Sequence, residues 1–151
     1  MSSVGSRQTP CITCSAINRV PDDKPASAAV CGRCGAPLGL DKAAEVDDEQ
    51  LSLVLKSTTG LVLLDVWAPW CGPCRAMAPE FALAAKEMAG RARLIKLNAD
   101  QSRETRSLGV TGIPALILFR NGQIIDRKAG LMRADMITAW VGEYAETPAT
   151  L

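Results

Sequence analysis

The sequence WAPWCGPCR, residues 67–75, lies where an apolar run meets a helical pattern. The run Leu61–Trp67 is short and rich in strand-forming residues, which is typical of a strand covered on both faces. From about Pro73 to Ala89, apolar residues recur at helical spacing, and Gly90 follows where a capping glycine is expected. These residues therefore predict a buried strand that leads directly into a long helix.

The cysteine pair at this junction favours redox chemistry. Cys71 stands at the predicted helix N-terminus, where free backbone N–H groups and the helix dipole stabilise a thiolate, so we expect an exposed nucleophile there. Pro73 suits the first helical turn, since its missing N–H costs nothing there. Two intervening residues let the sulfurs close a small disulfide ring, so Cys74 can attack a mixed disulfide formed at Cys71. A third metal-binding knuckle and an inert buried pair are the alternatives.

Helices and strands are also predicted on both sides of the junction. Asp47 and Gln50 form a capping-box pattern at the start of a helix, and residues 44–46 suggest a short edge strand before it. After the long helix, residues 93–97 predict another strand, followed by a short helix that ends at Gly109. The segment after residue 40 therefore alternates between helix and strand.

The C-terminal part predicts a hairpin and a last helix. Asn121-Gly122 favours a type I′ turn between strands Ala115–Arg120 and Gln123–Lys128. The last helix is expected to bury Met136, Ile137, Trp140, Val141 and Tyr144. The element order is then αβαβαββα, which fits an α/β fold with a central mixed β-sheet flanked by helices.

Residues 1–40 differ in composition and form a separate segment. They contain short polar pieces with Pro, Ser and Gly, and no amphipathic run long enough for a core helix. The chain then turns acidic from Asp41 to Glu49, so we place a boundary near Leu40, with a second domain over 41–151. The first segment has too little apolar content to fold alone.

Four cysteines in this segment predict a metal site. Their pattern is Cys-x2-Cys-x16-Cys-x2-Cys, and they are Cys11, Cys14, Cys31 and Cys34. Two such knuckles at this spacing suit one tetrahedral zinc ion, which would supply the stability that the segment lacks. Two structural or redox disulfides are the alternative.

Composition excludes several classes of function. The 151 residues contain no histidine, which removes His-based catalytic triads and zinc sites with His ligands. The formal net charge of +1 gives no support to nucleic-acid binding. No apolar run is long enough to span a membrane, and the polar N-terminus does not resemble a secretory signal. We therefore expect a cytoplasmic protein, where paired cysteines serve metal or redox chemistry.

The segment from about Asp41 to Ala145 resembles the thioredoxin family. The resemblance rests on WAPWCGPCR, on Lys96-Leu97-Asn98 and Gly112-Ile113-Pro114, and on Asn121-Gly122 and Gly130-Leu131. It implies the thioredoxin fold and a protein dithiol–disulfide reductase that NADPH-dependent thioredoxin reductase reduces again. Disulfide-containing proteins would be the substrates. A monomer without a bound organic cofactor is expected.

The same resemblance implies roles for particular residues. It makes Ile113–Pro114 a cis peptide bond, which leaves the Ile113 backbone free to pair with an extended substrate. Trp70, Gly72, Pro73 and Gly130 would join these two residues in binding the substrate. Without the resemblance, Pro114 is better interpreted as a residue that ends a strand edge.

The resemblance also implies roles for two charged residues in apolar strands. From the sequence alone, Asp65 and Lys96 suit exposed positions on strands. Thioredoxin likeness instead places Asp65 buried beneath Cys74 with Lys96 nearby. Burial would raise the pKa of Asp65 and Lys96 would partly oppose this, so that Asp65 can accept the Cys74 proton.

The N-terminal segment resembles the zinc-containing thioredoxin-2 type of bacteria. The likeness covers the four cysteines and the residues Asn18-Arg19-Val20-Pro21 after the first pair. Two other functions remain open: an oxidase or isomerase on the same fold, and a redox-sensing binding module whose zinc ribbon docks a partner. The Gly-Pro dipeptide between Cys71 and Cys74 counts against the former, since it offers no charged group to stabilise the thiolate further.

Overall fold

The computed structural model describes residues 5–145, which form a small N-terminal sheet and a larger mixed sheet. The strands are β1 (Ser6–Pro10), β2 (Ile17–Pro21), β3 (Ala44–Val46), β4 (Leu61–Trp67), β5 (Ala92–Asn98), β6 (Ala115–Arg120) and β7 (Gln123–Ala129). The α-helices are α1 (Asp48–Ser57), α2 (Gly72–Glu87) and α3 (Ala134–Ala145). No helix in this part of the chain combines the length and apolar character that crossing a membrane requires.

The larger sheet has the order β3-β5-β4-β6-β7. Strands β3, β5 and β4 run parallel, whereas β6 and β7 are antiparallel to their neighbours. Successive side chains of β4 enter two different cores: Leu63 packs in the cluster that contains residues of α2 and α3, and Leu64 packs in the one that contains residues of α1. The predicted mixed sheet between helices is confirmed, including the edge strand at residues 44–46.

Local sequence signals account for several element ends. Both hydrogen bonds of the capping box between Asp47 and Gln50 are present at the start of α1. In the hairpin, Asn121 has φ 49° and Gly122 has φ 82°, the left-handed conformations of a type I′ turn. A Cβ on Gly122 would also lie 2.8 Å from the carbonyl oxygen of Leu55. A glycine is therefore required at this turn.

Two expectations are wrong. The short helix before Gly109 is instead a 3-10 turn at Ala99–Gln101 followed by irregular turns. Asp48 accepts hydrogen bonds from the Ser102 hydroxyl and the Arg103 N–H, which holds this segment against α1 in a non-helical path. In α3, Met136 is 56% exposed, since the helix turns Ile137, Trp140 and Val141 to the core and leaves Met136 outside that stripe.

The N-terminal segment packs on the larger sheet and on α1. Gln8 accepts a hydrogen bond from the Thr59 N–H, and Gln50 donates to the carbonyl of Ile12. Leu40 is buried in a small core with Val20 and Cys11. The domain boundary near Leu40 stays a prediction.

Candidate functional site

Cys71 and Cys74 lie between β4 and α2 and are joined in a disulfide. Cys71 is the N-cap residue of α2, and the N–H of Cys74 points at its sulfur at 3.2 Å. Pro73 occupies the first turn, as predicted. The helix N-terminus therefore directs an N–H group and the positive end of its dipole at Cys71, which favours the thiolate once the disulfide is reduced.

The disulfide is more enclosed than the sequence suggests. The expectation that Cys71 is exposed is wrong: it is 5% exposed, against 2% for Cys74. The two cysteines form a small buried cluster with Ala68, and Trp67 and Ile113 pack against this cluster. Both cysteines of the disulfide are therefore enclosed, and Cys71 is slightly the more accessible residue of the two.

An exposed aromatic residue directly precedes Cys71 in the chain. Trp70 is 67% exposed, and its indole N–H donates a hydrogen bond to Asp100 at 3.0 Å. Gly72 and Pro73 are also exposed. Sequence reasoning missed Asp100, because it lies 30 residues from Trp70 and only the fold brings the two together. Its carboxylate holds the indole ring in place next to the cysteines.

A second chain segment borders the disulfide from the side of β6. The Ile113–Pro114 peptide bond is cis, as the resemblance implied, and the Cys71 sulfur lies 3.9 Å from the Ile113 carbonyl oxygen. Gly130 donates its N–H to the Pro114 carbonyl at 2.9 Å. Trp70, Gly72, Pro73, Ile113 and Pro114 thus border the cysteines, and Gly130 is linked to them through Pro114.

Asp65 is a fully buried carboxyl group on β4. Its neighbours Leu61 and Leu63 on the same face pack in the core that contains α2, the helix that carries Cys74. Neither carboxylate oxygen has a hydrogen-bond partner. Burial raises the pKa of Asp65 to about 7, although the positive charge of Lys96 opposes this rise. The alternative of an exposed strand position for Asp65 is wrong.

Three charged residues form a row across neighbouring strands. Lys96 on β5 is in register with Asp65 on β4 and with Glu45 on β3. The row runs from exposed Glu45 through half-buried Lys96 to buried Asp65. The Lys96 ammonium lies 4.7 Å from the centre of the Trp67 ring. Glu45 was not singled out from the sequence, and its negative charge helps to raise the pKa of Asp65.

The four N-terminal cysteines converge as predicted. The sulfurs of Cys11, Cys14, Cys31 and Cys34 all lie within 4.8 Å of one another. Cys11 and Cys34 are 3.7 Å apart, and Cys14 and Cys31 are 3.6 Å apart. A tetrahedral ion with metal–sulfur bonds of about 2.3 Å requires sulfur–sulfur distances of roughly 3.8 Å. The alternative of two disulfides is not formed, and the cluster fits a metal ion bound by four thiolates.

Each cysteine pair sits in a similar tight turn. The Ser15 N–H bonds to the Cys11 carbonyl, and the Gly35 N–H bonds to the Cys31 carbonyl. Ser15 and Gly35 both have positive φ, at 70° and 78°, which turns the chain back after each pair. The repeated geometry places the two pairs opposite each other, as a four-thiolate site requires.

Asn18 links the two turns. Its amide nitrogen donates to the Cys31 sulfur at 3.4 Å, and its amide oxygen accepts from the Gly32 N–H at 2.9 Å. Hydrogen bonds from the backbone of Cys34, from Asn18 and from the Arg33 N–H lower the pKa of Cys31 to about 6. A thiolate is thus favoured at Cys31 at neutral pH, and thiolates are the form that binds metal.

Comparison with known proteins agrees with both sites. Residues 42–143 match the thioredoxin family model, and residues 10–36 match the model described as thioredoxin 2, N-terminal. The chain is 32% identical over 137 residues to thioredoxin C-3 of Corynebacterium nephridii, covering 90% of this chain and 94% of the relative. It is 31% identical to a thioredoxin of Haemophilus influenzae over 106 residues, which is 70% of this chain and 99% of the relative.

Solved structures give the same result. A chloroplastic thioredoxin z has a TM-score of 0.65 at 27% identity, covering 70% of this chain and 96% of that one. A mutant thioredoxin from Halobacterium salinarum has a TM-score of 0.63 at 27% identity, covering 73% and 96%. Together with the disulfide at the start of α2, these matches place the chain in the thioredoxin family, as a disulfide oxidoreductase with the N-terminal ribbon of thioredoxin 2.

Proposed function

We propose that this chain reduces disulfides of substrate proteins, with Cys71 as the nucleophile and Cys74 as the resolving thiol. The Cys71 thiolate attacks one substrate sulfur, which forms a mixed disulfide and releases the other substrate sulfur as a thiolate. Cys74 then attacks the Cys71 sulfur, which frees the reduced substrate and forms the Cys71–Cys74 disulfide. The observation that carries this proposal is the N-cap position of Cys71 with the Cys74 N–H at its sulfur.

Cys74 must lose a proton before it can attack, and we assign that proton to Asp65. A thiol with an ordinary pKa near ~8.5 is mostly protonated at pH 7. The pKa of Asp65, raised to about 7, suits a general base that works at neutral pH. The positive charge of Lys96 would stabilise the ionised form of Asp65. The proton then passes from the Cys74 sulfur to an Asp65 oxygen.

Substrate binding is assigned to the residues that border the disulfide. Trp70, Gly72 and Pro73 offer an exposed surface next to Cys71. On the other side, the backbone of Ile113 before Pro114 can pair with an extended segment of the substrate, with Gly130 supporting that loop. Such backbone pairing accepts many sequences, which suits a reductase that acts on different proteins.

We assign the return of electrons to a flavoprotein thioredoxin reductase that uses NADPH. The oxidised Cys71–Cys74 pair takes two electrons from it and two protons, and becomes a dithiol again. We assign the protein to the cytoplasm as a monomer, as its resemblance to thioredoxins implies. In a reducing compartment, paired cysteines serve metal or redox chemistry and not structural disulfides.

For the four-thiolate cluster we propose one structural zinc ion per chain. The ligands are Cys11, Cys14, Cys31 and Cys34, which leave no open position for a substrate. When bound, zinc supplies stability to a segment with a small apolar core. The hydrogen bonds of Asn18 and Arg33 to Cys31 hold the sulfur in position for the metal.

Insulin reduction tests the proposed activity. The protein, NADPH and thioredoxin reductase should reduce insulin disulfides, and Cys71→Ser should abolish the reaction. Cys74→Ser should stop turnover but trap substrate proteins on Cys71 as mixed disulfides. A protein that is itself reduced by the reductase but leaves insulin unchanged would favour the redox-sensing module instead.

A further inference from the structure

Arg93 is a buried cation at the start of β5, on the sheet face opposite Lys96. It is 5% exposed, and its strand partner Val62 packs in the core that contains residues of α1. Lys96 lies three residues further along, so its side chain emerges from the other face. Arg93 is therefore not part of the redox site, and its burial must have another cause, because arginine is rarely buried without a partner.

The guanidinium of Arg93 is held by the N-terminal segment of residues 5–40, which we call the ribbon. Nη1 donates to the hydroxyl of Thr9 and, at 2.8 Å, to the carbonyl of Pro10, and Nη2 donates to the carbonyl of Leu38 at 3.4 Å. Pro10 directly precedes Cys11, and Leu38 follows the second cysteine pair by four residues. One side chain of β5 thus holds both ends of the ribbon. The third guanidinium nitrogen, Nε, is buried without a hydrogen-bond partner.

The acceptors of Arg93 are neutral oxygens, so its charge must be balanced otherwise. Burial lowers the pKa of Arg93 to about 10, and the negative charge of Cys11 opposes this effect. Cys11 is itself fully buried and belongs to the four-sulfur cluster. Four thiolates and one divalent zinc ion carry a net charge of −2. With zinc bound, that charge would begin one residue from the Pro10 carbonyl that Arg93 contacts, and it would offset the desolvation of the guanidinium.

We infer that Arg93 is the buried counter-cation of the metal–thiolate cluster and fixes the loaded ribbon to β5. This inference rests on the proposed zinc ion, for which Arg93 is a positioning residue and not a ligand. The ribbon then docks most tightly when the cluster carries its full negative charge, and the arginine in turn retains the metal.

Arg7 provides a matched control, because it also connects the ribbon to the larger domain. Arg7 donates to the carbonyl of Gly90, but it has its own carboxylate partner in Asp22 at 3.5 Å. Its side chain is 29% exposed, so solvent also screens its charge. Replacing Arg7 removes a bridging arginine without removing the charge beside Cys11.

The test compares zinc release from full-length Arg93→Gln, Arg93→Lys and Arg7→Gln after each is loaded with zinc. The rate of transfer to a coloured chelator is measured at neutral pH. We expect Arg93→Gln to release zinc about tenfold faster or more, the usual effect of losing a partner next to a metal ligand. Arg93→Lys keeps the charge and should restore most of the retention, and Arg7→Gln should match the wild type.

Each result decides the question. Equal release from Arg93→Gln and wild type overturns the role of Arg93 and leaves the zinc site standing, whereas a wild type that binds no zinc overturns both. If Arg93→Gln does not fold, ¹⁵N NMR of the wild-type Arg93 guanidinium decides. Chelator removal of zinc should move its resonances to those of a free arginine, and unchanged resonances would overturn the inference.

Discussion

Asp65 and Lys96 occupy directly paired positions on β4 and β5, yet Asp65 has no hydrogen-bond partner and the Lys96 ammonium lies over the Trp67 ring. The lysine therefore acts on the carboxyl group through its charge at a distance, and it lowers the pKa of Asp65 less than burial raises it. A carboxyl group with a pKa of about 7 can change its protonation state during turnover at neutral pH.

Asp65→Asn should slow resolution of the mixed disulfide by roughly 10–100-fold near pH 7, because the base for Cys74 is lost. Alkylation of Cys71 should change much less. Stopped-flow measurement of attack and resolution from pH 6 to 9 separates the two steps, with Asp135→Asn as an exposed control. Equal resolution rates in wild type and Asp65→Asn across this range would point to water or Lys96 as the acceptor.

The contribution of Asp65 to the stability of the oxidised protein should fall as pH rises from about 4 to 7. The pKa of Asp65 is raised to about 7 in the folded state, so the folded chain binds more protons than the unfolded chain, whose aspartate has a pKa near ~3.9. Each pH unit in this window then costs up to about 1.4 kcal/mol of the free energy of unfolding. Denaturant unfolding should show that the free energy of unfolding of Asp65→Asn rises relative to that of the wild type from pH 4 to 7. A constant difference would contradict the raised pKa.

Glu45→Gln and Lys96→Met should shift the pH profile of resolution in opposite directions. Glu45 raises the pKa of Asp65 and Lys96 lowers it, so the midpoint moves to lower pH in the first variant and to higher pH in the second. The Glu45 shift should stay below about one pH unit, since Glu45 is exposed and water screens its charge. Glu49→Gln, on the exposed surface of α1, is the control. Shifts of the same sign would rule out this charged row.

Removal of residues 1–40 should abolish zinc binding while insulin reduction at 20 °C is retained. The cysteine pair, Asp65 and the Ile113 loop all belong to the remaining chain. Arg93 loses its acceptors on the ribbon, so we expect a fall in the melting temperature of about 5–10 °C. Metal analysis, the insulin assay and calorimetry measure these effects. Loss of all reduction in a folded truncated protein would make the ribbon part of the catalytic unit.

Short-range signals made much of this structure predictable. The strand-to-helix junction at Cys71, the capping box of Asp47 and the Asn121-Gly122 turn each depend on residues within a few positions, and all three are confirmed. The spacing of the four N-terminal cysteines predicted their cluster for the same reason, because each pair lies in its own local turn.

The rest depends on partners that the sequence does not bring together. Arg93 contacts Thr9 at a separation of 84 residues, and nothing in the strand pattern around Arg93 indicates that a ribbon covers it. The prediction that Met136 is buried is wrong because helical spacing indicates a buried stripe without fixing where the edge of that stripe lies. The segment before Gly109 makes turns and no regular helix, and the Ser102 hydroxyl that precedes these turns is bound to Asp48, a contact across 54 residues.

Strand β5 carries one cation to each cysteine site, Arg93 to the ribbon and Lys96 to the disulfide, on opposite faces. A slip of one residue in its pairing with β4 would exchange these faces and place both charges against the wrong neighbours. Insertion or deletion of one residue between positions 93 and 96 would place the two cations on the same face, so at least one of the two sites would lose its charge. Both functions of the chain therefore depend on the same hydrogen-bond register between β4 and β5. Substitutions can change one function alone, whereas a shift of this register changes both.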